Sequence, residues 1–351
     1  MTTIADDTQQ PKKIRSIKEL VDAGLQHVPA MYIRPVQERA RPCAGSFNIV
    51  DQHPHRVPVI SLSSSQRLQQ VAHACSEWGI FQITDHGVST SLQNQLWSAA
   101  YHFFSLPTET KLQLISQDPS SPLLFFTGFF SHEQVKEWKD TLGFKPSPSM
   151  DEKLVPYFLR GPMLNFHKKM RMLSRILCEA ICSSLAIDSQ GVCDSHLSRA
   201  TMGFNYYPAC PEPDLTFGLS SHSDFGSLTI IMQDEVKGLQ VRRGDAWIDV
   251  APVPNAFTVI LGDQIEILTN GYYKSVEHRV LTNQTRPRMS IACFYGPNEH
   301  EHVKPLDQFV TPERPTMYKE TKFSDYLKHG FSRGLNGKSN LQFSRHKLVP
   351  F

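Results

Sequence analysis

The sequence predicts an α+β protein in which a largely helical N-terminal half wraps a C-terminal β-core of sandwich or jelly-roll type. Two observations predict this class. Between residues 64 and 185, long segments carry apolar residues at helical spacing. Beyond residue 200, short β-rich runs follow one another with Gly, Pro, Asn or Asp between them. A third feature, His222-Ser-Asp224 followed by His278 and Arg288-Met-Ser290, places the chemistry inside the β-core.

The elements read in order as follows. After a polar opening, Ser16-Ile-Lys-Glu19 has the spacing of a capping box, starting a short helix through Leu20, Val21 and Leu25. Pro29 and Pro35 punctuate a polar linker that runs to about Arg56. Residues 57–62 form a short strand, and 64–77 a helix with Leu68, Val71, Ala72 and Cys75 on its apolar side. A strand at 80–83 closes on Asp85-His-Gly87, and a helix over 90–105 stops at Leu106-Pro107. Within 112–135 lies an apolar stretch without helical period, centred on 122–130, which reads as a loop. An amphipathic helix follows at about 161–185, with Met163, Phe166, Met170, Leu173, Ile176, Leu177 and Ile181 on one side. Strands are expected at 202–207, 228–232, 239–242, 247–250, 257–261, 275–281 and 289–295, and a last helical segment near 323–332. The expected domains are a tail, short helix and linker (1–56), a mostly helical region (57–195), a catalytic jelly roll (196–300) and a C-terminal helical segment and tail (301–351).

Composition narrows the function. The 36 basic and 34 acidic side chains give a net charge of +2 and are interspersed, so no basic face for nucleic acid is evident. No apolar run approaches the roughly 20 residues that span a bilayer, and the N-terminus lacks the apolar segment of a secretory signal. The seven cysteines are odd in number and scattered, without a C-x-x-C, which suits free thiols in a reducing compartment. A cytoplasmic monomer acting on a small molecule, with neither nucleic acid nor membrane as partner, is the expectation.

His222 and Asp224 are two residues apart, so in extended backbone their side chains point the same way. One strand end then supplies two metal ligands, and His278, from a later strand, a third. Two imidazoles and a carboxylate with open positions opposite are the donor set for non-haem Fe(II). Zinc also accepts these donors, though a structural zinc usually takes four protein ligands. A His near an Asp is common on surfaces, and the pair gains weight only from its companions. Arg288 and Ser290 repeat the two-residue spacing and offer a guanidinium fork and a hydroxyl to a carboxylate. The same alternation puts Ala292 and Phe294 on that face. Asn205 and Tyr207 make a third such pair. By contrast, His300-Glu-His302 lies in a polar segment and reads as surface, and His86 as a local hydrogen-bonding residue. Cys178 and Cys182 share a helix face and read as packed thiols.

These residues carry a resemblance. Asn205-Tyr-Tyr-Pro-Ala-Cys-Pro211, His222-Ser-Asp224, Gly262-Asp-Gln-Ile-Glu-Ile-Leu-Thr-Asn-Gly271, His278-Arg-Val280 and Arg288-Met-Ser290 resemble the plant 2-oxoglutarate- and Fe(II)-dependent dioxygenases. So do Trp78–Val88, Phe103-Phe-Ser-Leu-Pro107 and Glu137-Trp-Lys-Asp140 in the N-terminal half. Thr84 and Asp85 depart from the family's usual Val-Asn, and the segment 119–132 lacks its common Gly-Tyr-Gly. The resemblance implies a double-stranded β-helix, a cupin-like jelly roll, with Fe(II) on His222, Asp224 and His278. It implies 2-oxoglutarate anchored by Arg288 and Ser290 with help from Tyr207 and Asn205, O2 as oxidant, and ascorbate in support. It further implies succinate and CO2 as co-products of a C–H hydroxylation, with desaturation or demethylation open to the same centre.

The nearest texture is that of the feruloyl-CoA and coumarin hydroxylases, carried by Val28–Pro35, Trp138-Lys-Asp140, Ser227–Asp234 and Tyr272–His278. A planar aromatic substrate is therefore expected against Phe294, Phe130 and Phe126. Flavonoids, alkaloids, terpenoids and hormones are the alternatives within this chemistry. A non-catalytic binding protein would be marked by a lost ligand or a lost Arg-x-Ser, and both are intact. A zinc hydrolase lacks an identifiable general base.

Overall fold

The computed structural model describes residues 16–39, 56–115, 121–128, 135–147 and 149–346. Its helices are α1 (Ile17–Asp22), α2 (Arg67–Glu77), α3 (Thr90–Ser105), α4 (Thr108–Leu114), α5 (Tyr157–Ser184), α6 (Ser189–His196), α7 (Asp263–Leu268) and α8 (Phe323–Arg333). Its strands are β1 (Val59–Ser61), β2 (Ile80–Thr84), β3 (Leu123–Thr127), β4 (Asp140–Phe144), β5 (Arg199–Tyr207), β6 (Phe217–His222) and β7 (Leu228–Gln233). They continue with β8 (Leu239–Arg243), β9 (Ala246–Asp249), β10 (Phe257–Leu261), β11 (His278–Leu281), β12 (Arg288–Gly296), β13 (His302–Val303) and β14 (Thr321–Lys322).

Local chemistry starts several of these where the sequence indicates. The Ser16 hydroxyl accepts from the Glu19 amide and caps α1, and the Ser89 hydroxyl accepts from Leu92 and caps α3. In α5 the residues Leu159, Met163, Phe166, Met170, Leu173, Leu177 and Ile181 recur every three or four positions and are all buried. Each such side chain contributes roughly 1.5–3 kcal/mol relative to leaving it exposed. The helix starts earlier than its apolar stripe suggests, because Tyr157 and Phe158 precede Pro162, which sits in its second turn.

The two sheets have the orders β1-β2-β10-β7-β12-β5-β4-β3 and β6-β11-β8-β9. Every pairing within them is antiparallel except β1 with β2. Strand alternation divides the core into two layers. Met289, Ile291, Cys293 and Tyr295 of β12 turn toward the helices, where α2, α3 and α5 complete the largest apolar cluster. Ala292, from the other face of β12, packs with Ile231, Leu239, Val241 and Val280 between the sheets. A third cluster, with Ile267, Tyr318, Phe323, Tyr326 and Leu341, ties α8 and the C-terminal segment to α7. This is the expected α+β jelly-roll architecture with helices against one side.

The stretch expected as a loop is in part a strand. Residues 123–127 pair antiparallel with 140–144, and β4 in turn pairs with β5, so residues before 196 provide four strands of the large sheet. Its side chains alternate: Leu123 and Phe125 enter the helix-side core, while Leu124 and Phe126 face the space beyond the sheet. The apolar run read as a loop because both faces of β3 carry apolar side chains, so no alternation with polar residues marks it as a strand. Phe130 lies outside the described residues. Helices α4, α6 and α7 and strands β4, β6, β13 and β14 were not expected from the sequence.

Candidate active site

Between the two sheets lies a cavity of about 410 Å³. Its wall is a record of strand alternation. Residues 288, 290, 292, 294 and 296 of β12, 199, 201, 203, 205 and 207 of β5, and 229 and 231 of β7 all line it. The register places Arg288 opposite Tyr207 and Ser290 opposite Asn205, so the two sequence pairs become one patch.

His222 ends β6 and His278 begins β11, where the two are directly opposed across the ladder. Their rings are 4.3 Å apart between centroids, and Asp224 lies just beyond the strand end. The Asp224 Oδ1 is 3.5 Å from His222 Nε2 and 3.8 Å from His278 Nε2. The ligand atoms of the three residues all lie within 4.8 Å of one another. Each ring is pinned at Nδ1, by the Ser220 carbonyl at 2.8 Å and by the Val276 carbonyl at 3.2 Å. A carbonyl only accepts, so each Nδ1 carries a proton and each Nε2 is left facing Asp224. Burial, with His222 beside it, lowers the His278 pKa to about 4, which leaves this imidazole neutral at pH 7. Burial opposes ionisation of Asp224, but the neighbouring His278 and His222 outweigh it and hold its pKa at about 2.

Asp224 is held from below by backbone. The Asp263 amide at the start of α7 donates to its carbonyl at 2.8 Å, and the Gln264 amide to that of Gly226 at 3.0 Å. This approach needs Gly262: a Cβ there would lie 2.2 Å from the Gly226 carbonyl oxygen. From the other side, Gly337 bridges to β6, accepting from the Ser223 amide and donating to the Ser221 carbonyl. The N-terminal segment also contributes, since Arg34 hydrogen-bonds Ser220 and pairs with the buried Glu137.

The second cluster lines the same cavity. Arg288 is 3 % exposed, with its Nε donating to the Val236 carbonyl at 3.2 Å and one terminal nitrogen to Gln233 at 2.9 Å. Its other terminal nitrogen, Nη1, is buried without a hydrogen-bond partner, as is Asp224 Oδ2. An unpaired buried guanidinium nitrogen and an unpaired buried carboxylate oxygen in one cavity fit a bound carboxylate and a bound cation respectively. The Arg288 guanidinium lies 5.3 Å from the Tyr207 ring centre. Burial pushes the Tyr207 phenol upward against the pull of Arg288 and Ser290, so it keeps its proton and can donate. Asn205 also lines the cavity, though its carbonyl oxygen already accepts from Thr141 at 3.1 Å and Lys139 at 3.3 Å.

Phe294 and Phe126 both reach the cavity. Sequence reasoning missed Gln233, which orients Arg288, and the apolar side of α8. Phe323, Leu327 and Phe331, spaced four apart, form part of the wall, and that spacing was the available signal. It also missed the cavity-lining cations Arg199 and Lys145. His302, exposed and 3.1 Å from Glu320, takes no part in the cavity. His86 accepts from the Val88 amide and hydrogen-bonds the Asn255 carbonyl, the local role expected of it.

Residues 198–297 match the model of the 2OG-Fe(II) oxygenase superfamily, and residues 57–164 that of the N-terminal region of non-haem dioxygenases in morphine synthesis. A codeine O-demethylase of Papaver somniferum is 35 % identical, over 95 % of this chain and 96 % of its own. A feruloyl CoA ortho-hydroxylase of Ipomoea batatas is 35 % identical, over 94 % of this chain and 93 % of its own. The crystal structure of JOX2 in complex with 2OG, Fe and JA superposes with a TM-score of 0.84 at 29 % identity, covering 96 % of this chain and 99 % of that one.

Proposed function

This chain belongs to the 2OG-Fe(II) oxygenase superfamily, and from that premise we propose that it hydroxylates a planar aromatic metabolite of phenylpropanoid type. It is a dioxygenase that uses Fe(II), 2-oxoglutarate and O2. The observation that carries the residue assignment is the sharing of one cavity by two clusters, His222/Asp224/His278 and Tyr207/Arg288/Ser290. Fe(II) and 2-oxoglutarate held there would supply O2-dependent oxidation of the substrate, with succinate and CO2 as co-products.

The chain's own residues divide the remaining work. His222 and His278, each held at Nδ1 by a backbone carbonyl, present Nε2 to the cation, and Asp224 its carboxylate. Arg288 takes the distal carboxylate of 2-oxoglutarate with its unpaired Nη1, Ser290 and Tyr207 add hydroxyl donors, and Asn205 closes the patch. The apolar wall of Phe126, Leu219, Ile231, Ala292 and Phe294 orients the substrate and keeps water from the reacting carbon. Among the described lining residues Asp224 is the sole carboxylate, whereas Lys145 and Arg199 stand at the opposite end from Arg288. A cationic end of this kind suits a substrate with an anionic tail, as in a hydroxycinnamoyl thioester. A methoxy carbon at the same position would give O-demethylation, the reaction named for the poppy relative.

The test is succinate release from 2-oxoglutarate with a panel of hydroxycinnamoyl thioesters, coumarins, flavonoids and acidic hormones, read by product mass. Turnover confined to flavonoids or hormones sinks the phenylpropanoid assignment. Succinate formed without Fe(II) or O2 sinks the chemistry. We also place the protein in the cytoplasm as a monomer. All six described cysteines are free thiols, and no described helix is long and apolar enough to cross a membrane. Light scattering and cell fractionation check both points.

A further inference from the structure

On the far side of the large sheet from the cavity, three sulfurs meet. Cys178 and Cys182 lie one turn apart on α5, and Cys193 comes from α6. Their Sγ atoms are all within 4.8 Å of one another, and the three residues are 1–2 % exposed. The remaining described cysteines, Cys75, Cys210 and Cys293, are each buried outside this group. Burial raises the pKa of every one of those three, that of Cys210 to about 11.

The cluster behaves differently. Its three thiols share hydrogen bonds that, with burial, raise Cys178 and Cys182, whereas hydrogen bonds from both, with the nearby Arg175, draw Cys193 down. Two arginines fix the helices around it. Arg175 pairs with Asp194 at 2.7 Å, and Arg171 donates to the Leu197 carbonyl at 3.3 Å. The sulfurs are therefore brought together by contacts that owe nothing to a metal, in the manner of a preformed site.

We propose that Cys178, Cys182 and Cys193 form a three-thiolate binding site for a soft monovalent cation, Cu(I). Thiolates select soft ions, whereas the imidazole and carboxylate set across the sheet suits iron. Structural zinc closes on four protein ligands, and no fourth Cys, His, Asp or Glu among the described residues joins these three. Burial under α6 also leaves little room for water to complete a tetrahedron. A three-coordinate ion meets no such shortage. Coordination releases the protons of the ligating thiols to solvent, and Arg175 offsets part of the negative charge that results. The inference is independent of the oxygenase reading, since no residue is shared.

The test uses the full chain, reduced and stripped of metal. It is titrated with Cu(I) under argon against a Cu(I)-specific chelator, and the retained copper is counted and examined by X-ray absorption. The expected result is one tightly held copper per chain, surrounded by sulfur alone. That copper should persist in Cys75→Ala and disappear in Cys182→Ala and Cys193→Ala. Equal retention by Cys193→Ala overturns the proposal, and so does a shell containing nitrogen, which would place the copper on the histidines. Failure of the unaltered chain to hold copper, or preference for Zn(II) in direct competition, overturns it too. The absorption measurement is made on the unaltered chain, so a variant that folds poorly does not decide the matter.

Discussion

Asp224 and Arg288 each keep one buried polar atom unpaired, and those two atoms are where substitutions should tell most. Asp224→Ala is expected to abolish Fe(II)-dependent succinate formation and to lower iron retained after desalting. An Asp224→Ala protein of full activity would end the ligand assignment. Arg288→Ala removes one partner of a buried charge pair, a loss of about 2–4 kcal/mol, or roughly a 30- to 1000-fold rise in the KM for 2-oxoglutarate. A less obvious position is Gly218, whose added Cβ would lie 2.6 Å from the Tyr207 ring. Gly218→Ala should displace that ring and cost about 1–3 kcal/mol, read as weaker 2-oxoglutarate binding with substrate binding little changed. Residues of this kind are the least legible in a sequence. The ligand pairs could be read because strand alternation converts a two-residue spacing into a shared face. Gly218 and Gln233 act through neighbours that are distant along the chain, and their types announce nothing.

Elements were legible where one face meets water. Helices α3 and α5 stood out because their apolar stripes alternate with polar positions. Helix α7 could not, since all six of its residues are buried and no period survives. What holds it is polar: Asp263 accepts from Tyr326 at 2.6 Å and Ser275 at 2.7 Å, and Glu266 accepts from Tyr318 at 2.7 Å. Tyr326→Phe strands one buried carboxylate oxygen, and about 1–3 kcal/mol of stability should be lost in urea unfolding. Helix α5 carries a pH-sensitive position. Burial, with Arg171 one turn on, lowers the His167 pKa to about 4 from 6.5. The unfolded chain therefore binds the proton first, and stability present above about pH 6.5 is lost as pH falls toward 4. His167→Gln should flatten the pH dependence of the urea midpoint across that window, and an unchanged slope would refute this origin.

At the scale of the whole molecule, the N-terminal half is built into the sheet that bears the site. Strands β1 and β2 lie beyond β10, β3 and β4 lie beyond β5, and α5 covers the outer face. A fragment beginning at residue 196 should accordingly fail to fold, giving neither a cooperative melt nor dispersed amide resonances. A well-folded fragment would show that those strands are dispensable. The general architecture was legible because β-rich and helix-rich textures divide near residue 200. The joining of the halves was not, because strand pairings between residues about sixty or more positions apart leave no local trace.

Strand β12 has a final consequence. On its cavity face, Phe294 stands six residues from Arg288, about 20 Å at roughly 3.3 Å each. The strand therefore acts as a ruler, graduated every second residue, with the acid anchor at one mark and the aromatic wall at another. Substitutions at the far marks can retune what is oxidised without moving the near ones, whereas a single inserted residue would turn every graduation over at once. Tolerance to substitution and intolerance to insertion should coexist along the same nine residues.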